Sequence, residues 1–289
     1  MTLRTILVPI SAADASRPAL ETACHIARKF GAHIEALHVR TDPRGLVPYT
    51  GEGMDGSMIE EIMDVTEREG RERQAKAREM FREFCAAKGV KESTRPTNSP
   101  EATVAWRDEV GREDEVVAVR GRIFDLIVVG RPQRDHPLPS PVTLEAALLD
   151  SGRPIIVAPP RSPADCGSSI AIAWEGTREA SRAIADAQPF FARASSVTVM
   201  AGRALAEENP KPEEYVEKLA WHGVNARIHR FEAGLADLGM AYLREASKLG
   251  ADLLVKGAYS QNRIRQLIFG GRTSHILGHA EIPVLFSHC

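Results

Sequence analysis

The sequence predicts an α/β protein made of two tandem domains, each a doubly wound, five-stranded parallel sheet. Three observations predict it. Short apolar runs alternate with segments of helical spacing along the chain. Three stretches recur in the same order in each half: "RTILVPI" resembles "SSIAIAWEG", "FDLIVVGRP" resembles "ADLLVKGAY", and "GRPIIVAPP" resembles "EIPVLFSHC". Between the halves lies "PPRSPADCG", Pro159–Gly167, with the Pro, Ser and Gly content of a linker. The domains are therefore expected at 1–160 and 167–289.

The second half reads cleanly in order. Ile170–Trp174 is a short buried-type strand. Thr177–Ala194 has helical spacing, with Ala180, Ala183, Ile184, Ala187 and Phe191 on one face. "SVTVMAG" is a strand. Pro212–His222 is a helix with Pro at its start and Gly223 past its end. "NARIHRFE" is a strand, Gly239–Leu249 a helix stopped by Gly250, "DLLVKG" a strand, Thr273–Ala280 a helix and "PVLFS" the last strand. Ligands in such sheets sit beyond the carboxyl ends of the strands where strand order reverses. Here those ends are the loops after Trp174, Met200 and Lys256. The first half repeats the order with an insertion. Pro43–Ser57 is rich in glycine and proline, and Ile59–Gly89 is a long charged helix with an amphipathic underside.

Composition narrows the class. The 289 residues suffice for two domains with their own cores. Lys and Arg total 37 against 39 Asp and Glu, a balance that argues against bulk nucleic-acid binding. No stretch approaches the roughly 18 apolar residues of a membrane span, and the short run Ile6–Ile10 is no signal-peptide core. Cys24, Cys85, Cys166 and Cys289 form no CxxC pair, which fits reduced thiols in a cytosolic protein. There is no GxSxG or HExxH. His275 and His279 lie four apart without a fixed carboxylate or thiolate partner, and read as ordinary polar residues, as His288 and Cys289 do apart from adventitious metal. Trp106, Trp174 and Trp221 read as packing residues.

The strongest constellation is "GAYSQNRIRQLIFGG", Gly257–Gly271, directly after a strand and before a helix. Phosphate oxygens need backbone N–H groups, and close approach is easiest where Cβ is missing. The helix start adds free N–H groups and a favourable dipole. Thr273 or Ser274 can cap that helix, and Arg263, Arg265 and Arg272 can add countercharge. From the glycines alone, a strand–turn–helix that uses glycine only for geometry is the simpler reading.

On these stretches both halves resemble universal stress protein domains, of the adenine nucleotide alpha hydrolase-like type, over nearly the whole chain. ATP-binding members of that family carry Gly, two residues, Gly, nine residues, Gly, then Ser or Thr. Here Gly257 and Gly270 match, Ser260 replaces the second glycine and Gly271 replaces Ser/Thr. "FGGRTSHIL" also resembles a bacterial tandem subgroup whose loop ends Gly-Gly-x-Thr. The resemblance implies ATP, with or without Mg²⁺, held by Gly257, Ser260, Gly270, Gly271, Arg272 and Thr273. It also implies an acid after the first strand to reach the nucleotide, here Glu175, and backbone contacts to adenine near Met200 and Ala201. Glu175 reads equally as an exposed acid near a helix start.

The first half departs further. Ser11 stands where the acid belongs, and Asp14 reads as a helix-start residue. Gly130 remains, but Gln133 and Pro141 take the later glycine positions, and proline has no N–H to offer a phosphate. Arg131, Arg134 and His136 read as a solvated loop. The resemblance implies a stress-response protein that binds adenine nucleotide in its second domain, with binding or at most slow hydrolysis. It also implies pairing through the last strands, "PIIVAP" and "PVLFSH", within the chain or between two chains, since an exposed apolar edge wants a partner. The alternative is a nucleotide-independent scaffold for a protein partner.

Overall fold

A computed structural model describes residues 2–43, 56–96, 100–132, 139–203, 210–234, 237–258 and 272–288. The N-terminal half runs β1 (Thr5–Pro9), α1 (Ala13–Phe30), β2 (His33–Arg40), α2 (Gly56–Lys88), β3 (Lys91–Glu92), β4 (Thr103–Val110), α3 (Glu113–Gly121), β5 (Leu126–Gly130), α4 (Pro141–Leu149) and β6 (Ile155–Ala158). The C-terminal half runs β7 (Ser169–Ala173), α5 (Arg178–Phe191), β8 (Ser196–Gly202), α6 (Pro212–Trp221), β9 (Ala226–Phe231), α7 (Leu238–Lys248), β10 (Leu253–Gly257), α8 (Arg272–His279) and β11 (Val284–Ser287). The insertion Pro43–Ser57 falls largely outside the described residues.

All the strands join one sheet, in the order β3-β4-β2-β1-β5-β6-β11-β10-β7-β8-β9. Within each half every pairing is parallel, and strand order reverses between β1 and β5 and again between β7 and β10. The addition to five strands per half is β3, a two-residue edge strand beside β4. The halves meet where β6 and β11 pair antiparallel, setting Val157, Ile156 and Ile155 against Val284, Leu285 and Phe286. All six side chains are buried.

Helices cover both faces. The five residues expected on the inner face of α5, Ala180, Ala183, Ile184, Ala187 and Phe191, are buried there. Thr177 caps that helix by accepting from the Ala180 N–H at 3.1 Å. In α2 only the last turns reach the core, through Ala77, Met80, Phe81, Phe84 and Cys85. The linker is anchored: Lys29 Nζ donates to the Cys166 carbonyl at 2.9 Å and to Ser168 Oγ at 2.8 Å. Beside it, Phe30 and Phe190 meet edge to face at 5.2 Å, under the Arg193 guanidinium. Trp221 does not pack as expected; at the end of α6 it is 82% exposed, because the inner face of that helix is taken by Leu219.

The repeat extends to one polar device. Asp125 accepts from the backbone N–H groups of Arg4 and Thr5 at 2.8 and 2.9 Å. Asp252, its counterpart, accepts from Gly167, Ser168 and Ser169 at 2.8, 3.0 and 3.1 Å. Each carboxylate thus holds the start of its half's first strand. Asp252→Ala should lower stability by about 2–4 kcal/mol, since it strips a charged acceptor from several donors at once. Urea unfolding checks this; a loss below about 0.5 kcal/mol would remove the carboxylate from the account.

Candidate functional site

In the C-terminal half the strand-order reversal lies between β7 and β10, and one side chain from each side meets across it. Glu175 follows β7 by two residues, and Lys256 is the next-to-last residue of β10. Lys256 Nζ donates to Glu175 Oε2 at 2.9 Å, with side chains only 3% and 7% exposed. Of the two readings of Glu175, a nucleotide contact or an exposed acid near a helix start, the second does not hold: the side chain is buried and ion-paired. A buried pair holds together only when both charges stay partnered, because each alone has lost its water.

The floor around this pair is tightly built. The Trp174 indole stacks on Tyr215 at 4.6 Å and donates from Nε1 to the Pro210 carbonyl at 3.1 Å. Tyr242 donates its hydroxyl to the Trp174 carbonyl at 2.9 Å. Ala201 is buried in β8, and the neighbouring Met200 carbonyl accepts from the Trp174 N–H at 3.1 Å. Ser287, across the ladder from Gly257, has a buried hydroxyl with no partner among the described residues.

Gly257 has a reason of its own for lacking a side chain. A Cβ there would stand 2.3 Å from the Ala180 nitrogen and 2.4 Å from the Glu179 carbonyl carbon. The backbone of α5's first turn occupies the place, so the glycine is required for helix-on-strand packing whatever binds nearby. Arg272 and Thr273 open α8, and their side chains lie outside the described residues. Ser260, Gly270 and Gly271, with Arg263 and Arg265, also fall outside them. Glu175, Ala201 and Gly257 share the carboxyl edge of β7, β8 and β10.

The equivalent place in the N-terminal half is closed. Gly130 matches Gly257, and a Cβ on it would meet Pro139 Cγ at 2.9 Å and the Ala15 carbonyl at 3.2 Å. The space left among Pro9, Ser11, Glu113, Gly130, Pro139 and Thr143 is about 10 Å³, room for one water. Ser11 does not stand alone there: its hydroxyl donates to Glu113 Oε1 at 2.5 Å. Burial pushes the Glu113 carboxyl up, against the hydrogen bonds of Ser11 and Thr143, which pull it down. Pro141 begins α4, where its missing N–H is no loss, and Ser140 caps the helix. Arg131 reaches the Ala280 carbonyl of the other half rather than forming part of a solvated loop. Gln133, Arg134 and His136 lie outside the described residues. His275 and His279 stack at 4.2 Å.

Sequence reasoning missed Lys256 and Glu113. Lys256 had a signal: a lysine inside "DLLVKG" where the other half has Val129. Glu113 had none, because it comes from a helix start 102 residues from the serine it meets.

A model described as the universal stress protein family matches residues 2–139 and, a second time, residues 170–288. The chain belongs to the universal stress protein family. The fold agrees. A universal stress protein from Archaeoglobus fulgidus superposes with a TM-score of 0.70 at 16% identity, over 99% of this chain and 97% of that one. A protein of unknown function from Pseudomonas aeruginosa gives 0.55 at 18% identity, over 99% and 92%. No curated protein matches the chain. This universal stress protein carries its repeat within a single polypeptide. No described helix is long and apolar enough to cross a membrane.

Proposed function

We propose that this chain binds an adenine nucleotide, as ATP with or without Mg²⁺, at the carboxyl edge of β7, β8 and β10, in a stress-response or regulatory role. The N-terminal half serves as its closed structural partner. The observation that carries the reading is the buried Lys256–Glu175 pair bridging the strand-order reversal at 2.9 Å, where open α/β sheets take their ligands. Lys256 is neutralised by Glu175, so an anionic group of the ligand falls to the free N–H groups at the start of α8, and Ser287 offers a buried hydroxyl with no partner among the described residues. Glu175 can hold ribose hydroxyls. Glu175, the carboxylate of this edge, is held in an ion pair with Lys256 rather than poised to take a proton from water, so binding or at most slow hydrolysis is the expected activity. Calorimetric titration of the folded protein with ATP and Mg²⁺ should give saturable heat with one site per chain. Heat no larger than dilution at millimolar nucleotide overturns the proposal.

A second reading is a nucleotide-independent scaffold for a protein partner. What favours it is that Gly257 is fully accounted for by the backbone of α5. Gly270→Leu separates the two. Cellular function that survives this change in a folded protein favours the scaffold.

A further inference from the structure

The long helix α2 leaves a groove of about 430 Å³ between itself and β4, within the size range of small-molecule sites. Arg71, Gln74, Ala75 and Arg78 line it from the helix, at the spacing of one helical face. Trp106 and Asp108 line it from the strand. The groove has two arginines against one carboxylate.

Arg78 is the telling residue. Its guanidinium lies over Trp106 at 5.1 Å and Phe81 at 5.5 Å. Its Nη1 is buried with no hydrogen-bond partner among the described residues. A guanidinium has only donors to offer, and leaving a buried one unmatched is costly. The surroundings hold it in place. Trp106 stacks on His38 at 5.8 Å and donates from Nε1 to Asp108 Oδ2 at 2.7 Å. With His38 stacked on it and Arg78 above it, the indole is a wall of the groove rather than a platform for a ligand. Arg71 stands seven residues earlier on the same face; it is more exposed and ion-paired with Glu67 at 2.5 Å, an exposed pair worth little that an oxyanion can replace.

We propose that this groove binds the oxyanion of a small metabolite, a phosphate or carboxylate group, on Arg78 and Arg71. An oxyanion in the groove supplies the counter-charge that the Arg78 guanidinium lacks among the described residues, and the planar fork of arginine suits its geometry. Gln74 adds an amide donor. The groove shares no residue with the edge of β7, β8 and β10, so the two assignments stand or fall separately.

The test is a titration of isotope-labelled protein, followed on the Trp106 indole N–H, with glycerol 3-phosphate in one arm and succinate in the other. A saturable shift with either anion is expected, and the stronger arm assigns the phosphate or the carboxylate class. Arg78→Gln should weaken the binding about tenfold or more, the loss of a charge-assisted hydrogen bond. Arg78→Lys keeps charge and stem and should bind between the two; it carries the test if Arg78→Gln does not fold. No saturable shift with either anion up to roughly 10 mM, or equal affinity in both Arg78 variants and the parent, overturns the proposal.

Discussion

Lys256→Met is expected to cost roughly 3–5 kcal/mol of stability in nucleotide-free protein, because it leaves the buried Glu175 carboxylate without its cation. For a chain of this size that is on the order of 10 °C in Tm. The cause lies in desolvation. Lys256 and Glu175 are both almost fully buried and 2.9 Å apart, so neither charge can turn to water when the other is removed. The control is the double variant Lys256→Met with Glu175→Gln. It removes both charges and keeps a hydrogen-bonding side chain at position 175. It should recover most of the loss, since a buried ion pair replaced as a unit is often neutral in stability. Calorimetric unfolding of the parent, the single and the double variant checks this. A double variant as unstable as the single one would show that packing around the lysine stem, not the charge, accounts for the loss.

Gly257→Ala is the second large effect. The added methyl would stand 2.3 and 2.4 Å from backbone atoms of Ala180 and Glu179, and 2.7 Å from the Glu179 carbonyl oxygen. A flexible side chain could swing away, but the first turn of a capped helix cannot. Strand and helix must separate, at a cost of about 3 kcal/mol or more, the upper end of overpacking penalties. Two other glycines calibrate the result. Gly130→Ala meets a proline ring and a carbonyl at 2.9 and 3.2 Å and should cost less, about 1 kcal/mol. Gly278→Ala in α8 meets nothing within 4 Å and should be neutral or stabilising by about 0.5–1 kcal/mol. The measurement belongs in nucleotide-free protein. Unchanged stability of Gly257→Ala there would return this glycine to the ligand alone.

These two positions also show what could be read from sequence. The repeat, the alternation of apolar runs with helical spacing, and the face of α5 are local signals, and they led to the right elements of the second half within three residues. The edge strand β3 was not readable: Lys91 and Glu92 are exposed and too few to show a period. Trp221 was misread because the number of apolar residues on α6 does not say which of them faces the sheet. Glu175 was legible from its place after a strand, but its partner is 81 residues away. The lysine inside "DLLVKG" is a local signal, but nothing local names the acid it closes on across the crossover. Gly257 was noticed for the right reason, close approach, but the approaching backbone is that of α5, and only the packed structure identifies it.

The antiparallel joint between β6 and β11 has a directional consequence. Every parallel strand of one half runs opposite to every strand of the other. Their carboxyl edges therefore open at opposite ends of the sheet. The closed pocket around Glu113 and the edge holding Lys256 face away from each other, and neither half can act as a lid over the other. Communication between them runs through the joint, with its hydrogen-bonded ladder and six buried side chains, and through the bridges beside it, Phe30 to Phe190 and Arg131 to Ala280. The same joint covers the apolar edge of each half, leaving β3 and β9 as the outer strands of the described sheet.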